Sequence, residues 1–214
     1  KIIFIHHGGC IGGAAISMLQ AISKLNNNLY EYLIVFTEPG SIVDWYRKAG
    51  FRIEVIPLNS AFFYSEHVKI RVRMLHRWIV NYKSTINRVL TLIKEEKPSL
   101  IYLNTSVLTT VAIGVKRARI PFLWHVREAP GPNRIIRKWH VGLIKKLANR
   151  IIVNSDYVKG FYIGQSQVQT IRNAVDLDRF DGTLRTARQH RTAYFSACPI
   201  RAFSANDSLP GCCE

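Results

Sequence analysis

The stretch Lys1-Ile2-Ile3-Phe4-Ile5-His6-His7-Gly8-Gly9-Cys10-Ile11-Gly12-Gly13-Ala14-Ala15 decides the fold. Its opening is an apolar run without alternation, the pattern of a strand covered on both faces, and it ends at a glycine-rich turn that leads into a helix. The same pattern recurs along the chain. Short β-rich runs at Lys1–His6, Tyr30–Phe36, Arg52–Pro57, Leu100–Asn104, Phe122–Val126, Arg150–Asn154 and Val168–Ile171 read as strands. Amphipathic stretches at Ala14–Leu25, Ile42–Ala49, His67–Glu96, Val107–Lys116, Ile135–Ala148 and Tyr157–Gly164 read as helices between them. Alternation of this kind builds βαβ units, so the expected class is α/β, with a doubly wound, mostly parallel Rossmann-like sheet.

The chain has 214 residues and 48% hydrophobic content, enough for one core and too little length for two full α/β domains. We expect one domain over residues 1–181. From Gly182 onward Lys disappears, Cys198, Cys212 and Cys213 gather, and neither helical nor strand periodicity continues. Residues 182–214 therefore read as an irregular tail, either non-native or disordered. The longest apolar run, Val107 to Val115, is interrupted by Thr109 and Thr110 and falls short of the ~20 residues that cross a bilayer. The opening run is also shorter than a signal-peptide core, and the expectation is a cytoplasmic protein. Cysteine spacing suggests neither a disulfide framework nor a metal site. The formal charge of +16 favours anionic partners: nucleic acid, anionic lipid or phosphorylated small molecules.

Three kinds of segment could carry chemistry. The turn containing Gly12 and Gly13 opens a helix, where unpaired N–H groups and the positive dipole end suit a phosphate or a sugar hydroxyl. Its spacing is neither G-x-G-x-x-G nor a P-loop, and a tight turn requiring positive φ explains the glycines equally well. The fifth strand ends in His125-Val126-Arg127-Glu128, at the carboxyl end where ligands of open α/β sheets bind. An Arg127–Glu128 structural ion pair is the alternative there. Asn104-Thr105-Ser106 and Asn154-Ser155-Asp156 end two further strands, where ligand contact competes with helix capping by Thr105, Ser106, Ser155 or Asp156. Asn173 follows the last strand in a turn.

The long helical stretch carries Val72, Leu75, Ile79, Tyr82, Ile86, Val89 and Ile93 on one face, and a basic flank of Lys69, Arg71, Arg73, Arg77, Lys83 and Arg88. With Trp78 beside it and Phe62-Phe63-Tyr64 upstream, that flank is either a solvated surface or a dock for an anionic membrane, which would make the protein peripheral on the inner membrane face. There is no H-E-x-x-H, no paired-Cys zinc pattern and no G-x-S-x-G turn, so metalloprotease and serine-hydrolase chemistry have no footing.

In order, these segments resemble the N-terminal domain of family 4 glycosyltransferases, enzymes of the two-domain GT-B fold. The resemblance rests on Gly12-Gly13-Ala14; Pro39-Gly40; Gly50-Phe51-Arg52-Ile53-Glu54-Val55-Ile56-Pro57; Leu100-Ile101-Tyr102-Leu103-Asn104; His125-Val126-Arg127-Glu128; Ile152-Val153-Asn154-Ser155; and Ile171-Arg172-Asn173-Ala174-Val175-Asp176 with Arg179-Phe180. It implies retaining transfer of a sugar from a nucleotide diphosphate to a glycan or lipid-linked acceptor, without metal or other cofactor. Gly12 and Gly13 match the loop that approaches the donor, and His125 matches a histidine that contacts the donor sugar. Asn173, Val175 and Asp176 match the turn towards the second domain. Ala15 stands where many relatives carry Glu, and the second domain, with its paired glutamates and phosphate-gripping cations, is not in this sequence. The resemblance thus implies that this chain alone is inactive. Two other readings remain: a nicotinamide-dependent oxidoreductase using Glu38 on a ribose, and a basic nucleic-acid or membrane-binding module. A separate donor-domain chain is a further possible partner.

Overall fold

All seven expected strands form: β1 (Ile2–His6), β2 (Tyr32–Phe36), β3 (Arg52–Val55), β4 (Leu100–Asn104), β5 (Phe122–Val126), β6 (Arg150–Val153) and β7 (Val168–Thr170). They make one sheet in the order β3-β2-β1-β4-β5-β6-β7, and every pairing is parallel. The computed structural model describes residues 1–25, 29–59, 62, 72–164 and 167–173. The expected tail, Arg71, Phe63, Tyr64, Val175, Asp176, Arg179 and Phe180 lie outside the described residues.

Helices cover both faces because strand residues alternate between two apolar clusters. Ile3 and Ile5 of β1, Leu33 and Val35 of β2, Leu103 of β4 and Trp124 of β5 pack under α4 (Tyr82–Glu96), α5 (Thr109–Arg117) and α6 (Arg134–Leu147). On the other face Phe4, Ile34 and Phe36 meet Met18 and Ile22 of α1 (Gly13–Ser23), and Ile42 and Tyr46 of α2 (Ser41–Lys48). Each such aliphatic or aromatic burial stabilises by ~1.5–3 kcal/mol, and period-two alternation directs it to both faces at once. On α5, Gly114 leaves room for Val89 of α4, whose side chain would lie 2.9 Å from an added Cβ.

The expected single helix over His67–Glu96 is, in its described part, two helices: α3 (Val72–Val80) and α4, divided at Asn81. The apolar line is divided with it. Ile86, Val89 and Ile93 are buried, but α3 buries none of its residues, and Val72 and Ile79 are 86% and 59% exposed. Tertiary contacts explain the difference. Behind α4 lies α5, whereas α3 is tied to the body by Trp78, whose Nε1 donates to Thr110 Oγ1 at 3.0 Å. The last expected helix is also shorter, a single turn α7 (Asp156–Lys159) running into a 3-10 turn at Gly160–Tyr162.

Candidate functional site

The strand order reverses between β1 and β4, so the chain leaves those two neighbouring strands in opposite directions and opens a crevice at their carboxyl ends. In the parallel register His6 of β1 pairs with Asn104 of β4, which pairs with His125 of β5. This row crowns the sheet on the α1 side, one pleat above Phe4 and Tyr102. All three side chains are buried, with His6 and His125 each 5% exposed and Asn104 fully covered.

Arg127 organises the row. Its Nε donates to Asn104 Oδ1 at 2.7 Å, and since a guanidinium can only donate, this fixes the orientation of the Asn104 amide. Asn104 Nδ2 then donates to His6 Nδ1 at 2.9 Å and to the Ala14 carbonyl at 3.1 Å, which ties the start of α1 to the tip of β4. Arg127 Nη1 reaches Ser17 Oγ of α1 at 3.1 Å and Asn173 Oδ1 at 2.9 Å. Ser17 Oγ in turn donates to Asn173 Oδ1 at 3.0 Å. The start of α1, the fourth and fifth strand tips and the Asn173 turn thus meet in one hydrogen-bonded network, which brings together Asn104, Arg127 and Asn173 of the residues singled out in the sequence.

Burial sets the protonation of this cluster. It lowers His6 to about 3, helped by the neighbouring His7 and Arg127 charges, and lowers His125 to about 3 together with the Arg127 charge. Both imidazoles are neutral at pH 7. The Tyr102 phenol is pushed up to about 12, again chiefly by burial. It bonds His125 Nδ1, while His125 Nε2, buried, has no partner among the described residues.

The glycines divide into two groups. Gly8 has φ +73°, and a Cβ on Gly9 or Gly40 would overlap the other loop's backbone, so the fold itself demands these three. Gly12 is extended at φ −155°, and neither it nor Gly13 has any atom within 4 Å of an added Cβ. The positive-φ explanation therefore fails for Gly12 and Gly13. Helix α1 also starts without a side-chain cap and without an acidic residue in its first turn. The N–H groups of its first turn have no partner within the helix and carry the positive end of its dipole.

Several expected roles are corrected. Thr105 and Ser106 do not cap α5, whose N-cap is Leu108 without a side-chain bond. Thr105 has φ +110°, a strained value for a β-branched residue, and is held there from two sides. Its Oγ1 meets His7 Nδ1 at 2.8 Å, and its carbonyl accepts from Trp124 Nε1 at 2.8 Å. Glu128 does not pair with Arg127; it accepts from Ser106 N and Oγ at 3.0 and 2.8 Å and so anchors the same loop. Ser155, by contrast, takes the expected capping role, accepting from Val158 N at the start of α7 at 3.3 Å. Thr105, Glu128 and Ser155 are therefore engaged in shaping loops. Of the basic flank, Arg88 donates to the Pro57 carbonyl at 2.7 Å, while Arg73, Arg77 and Lys83 are exposed on α3 and α4, away from the network just described.

Sequence reasoning did not single out His6, Ser17 or Tyr102 for the site. His6 and Tyr102 were readable only as strand residues; a polar residue at the last inward position of a buried strand is the signal that could have found His6. Among the described residues no group of three His, Cys, Asp or Glu is placed to hold a metal ion, and no helix is long and apolar enough to cross a membrane.

Comparison with known proteins agrees with this architecture. Anabaena Alr3699/HepE, solved in complex with UDP and glucose, superposes with a TM-score of 0.60 at 19% identity, over 83% of this chain and 45% of that one. A glycosyltransferase from Rickettsia africae ESF-5 gives 0.61 at 14% identity, over 85% and 45%. Acinetobacter baumannii MurG gives 0.57 at 10% identity, over 82% and 47%. The chain thus spans slightly under half the length of these solved structures. No curated protein matches in sequence. The model of Glycosyltransferase Family 4 matches residues 11–179, most of the chain and every part of the polar crevice beyond β1, and the chain therefore belongs to that family.

Proposed function

We propose that this chain is the acceptor-side half of a retaining glycosyltransferase that moves a sugar from a nucleotide diphosphate to a hydroxyl of a glycan or lipid-linked acceptor. The observation that carries this reading is a buried His125 Nε2, without a partner among the described residues, held in one polar network with the uncapped, glycine-opened start of α1. The helix start suits the donor diphosphate, because its N–H groups and dipole favour negative charge and Gly12 and Gly13 keep side chains out of the way. His125 suits an oxygen of the sugar. Arg127 holds both parts in place and keeps the pocket positive as charge develops on the leaving group. The remaining stabilisation of that group would come from a donor-binding half outside this sequence, so the chain alone is inactive; no metal or specific nucleic acid is required. HepE in complex with UDP and glucose supports a nucleotide sugar as the substrate class.

Exposed Val72, Ile79 and Val80 beside Arg73 and Arg77 on α3 support a peripheral position on an anionic membrane, where a lipid-linked acceptor would be found. The family match speaks against the nicotinamide reading of Glu38. The decisive experiment follows UDP release and product anomer by NMR, using UDP-glucose and related donors with the protein extended to its full two-domain length. Retention of configuration and a fall of 10²-fold or more in turnover for His125→Ala, on the order expected for loss of a positioned polar group, are the expected results. An inverted product, or unchanged turnover in that variant, overturns the proposal.

A further inference from the structure

Resting on the sugar-transfer reading above, we propose that Thr105 is a positioning residue: its strained backbone holds a hydroxyl against His7 and so fixes the base of the loop, residues 7–12, that leads to the donor-binding start of α1. Three neighbouring segments pin that loop at three successive residues. His7 Nδ1 meets Thr105 Oγ1 at 2.8 Å beyond β4, and Gly8 N donates to Thr37 Oγ1 at 2.9 Å beyond β2. The Gly9 carbonyl accepts from Ile42 N of α2 at 3.1 Å. Both glycines are held through their own backbone, whereas His7 is held at its ring. Beyond them Cys10, Ile11 and Gly12 are exposed, so the place of the loop is set at its base.

The backbone shows what that contact requires. Thr105 has φ +110°, whereas the other non-glycine residues of positive φ among the described ones, Lys97 at +47° and Arg119 at +58°, lie close to the left-handed helical region. A β-branched side chain disfavours the Thr105 conformation, and glycine would adopt it freely. The surroundings impose it nonetheless. Thr105 is fully buried, its N–H donates to the His125 carbonyl at 2.9 Å, and its carbonyl accepts from Trp124 Nε1 at 2.8 Å. Those two bonds use main-chain atoms that a glycine would also have. What threonine adds is its side chain, and the hydrogen bond made by that side chain is the one to His7. Whichever partner donates in it, a hydroxyl is needed.

Four substitutions separate the hydroxyl from the strain. Thr105→Ser keeps the hydroxyl and Thr105→Val keeps the shape without it. Thr105→Ala and Thr105→Gly both lack it, and of these only glycine relieves the backbone. In the two-domain protein the serine variant should keep the wild-type KM for UDP-glucose. The valine, alanine and glycine variants should each raise it ~5-fold or more with kcat little changed, the size of one lost hydrogen bond. In urea titration of this chain the glycine variant should be more stable than the alanine variant, yet its KM should stay as high; a merely structural role would have KM recover with stability. Long-range ¹H–¹⁵N spectra of the ligand-free chain with ¹⁵N-labelled histidine, with His7→Gln identifying the signals, should show His7 Nδ1 unmoved in the serine variant. It should shift in the valine variant or, if that one folds poorly, in the alanine variant. An unmoved Nδ1 there, a wild-type KM in the valine variant, or a KM that recovers in the glycine variant overturns the proposal. A wild type that transfers no sugar from UDP-glucose or related donors refutes the sugar-transfer reading instead, while the spectra and the glycine-against-alanine comparison, made without ligand, still decide whether Thr105 holds His7.

Discussion

Acidification should unfold this protein through its neutral buried histidines, and the size of the effect can be worked out from the structure. His6 and His125 titrate near 3 in the folded chain and His140 near 4, all because burial penalises the charged ring. In the unfolded chain each titrates near ~6.5. Between those values the unfolded state binds more protons than the native state, so stability is complete above pH ~6.5 and is lost as pH falls towards the folded values. Each pKa unit corresponds to ~1.4 kcal/mol, and lowering the pH to 5 therefore costs ~2 kcal/mol per histidine and roughly 6 kcal/mol for the three. Domain stabilities are ~5–15 kcal/mol, so the loss should be easy to see. Urea unfolding of the chain followed by tryptophan fluorescence at pH 8, 7, 6 and 5 gives the slope. The expected slope below pH 6 is ~4 kcal/mol per pH unit, with about one third removed in His140→Gln. A flat profile between pH 7 and 5, or one unaltered by that substitution, would show that these rings are hydrated or charged in the native state and refute the reasoning.

Two glycine pairs should respond oppositely to the same change. Gly9→Ala and Gly40→Ala each force a Cβ into the backbone of the facing loop, so each is expected to destabilise by ~2 kcal/mol or more in urea titration, with lost tertiary circular dichroism. Gly12→Ala and Gly13→Ala meet nothing and should melt within ~1 kcal/mol of the wild type, while raising the KM for UDP-glucose in the two-domain protein at least several-fold. Equal thermal stability across all four variants would contradict this division. At the fifth strand tip, Arg127→Lys keeps the charge but loses the fork that meets Asn104, Ser17 and Asn173 together, and should lower turnover ~10-fold or more in the same assay. A fully active Lys variant would refute the organising role given to Arg127.

Much of this was legible in one dimension. Runs such as Leu100–Asn104 and Phe122–Val126 became strands with those bounds because a fully buried strand must be apolar on both faces, and that demand is local. The same holds for the convergence of Gly12, Asn104 and His125: once a parallel sheet is accepted, carboxyl ends share one edge. What a side chain does there was less legible. Thr105 and Ser155 read as ligand or capping candidates and Glu128 as a ligand or ion-pair candidate on position alone; the structure engages Ser155 with a residue three positions on and Thr105 and Glu128 with distant segments. The stripe over Val72–Ile93 has one helical period throughout, but only the half that meets α5 is buried.

Sequence by itself determined the class of fold, the order of its elements, the family and the edge where chemistry can occur, because apolar periodicity and turn residues act over a few neighbouring positions. Tertiary structure alone decided that Arg127 gathers Asn104, Ser17 and Asn173, that Tyr102 bonds His125, and that Gly9 and Gly40 share a space too small for a methyl group. Such partners come from separate strands, helices and loops, from 23 to 110 residues apart for the hydrogen bonds. Hydrogen bonds and steric exclusion depend on distances that exist only once the sheet has closed its register.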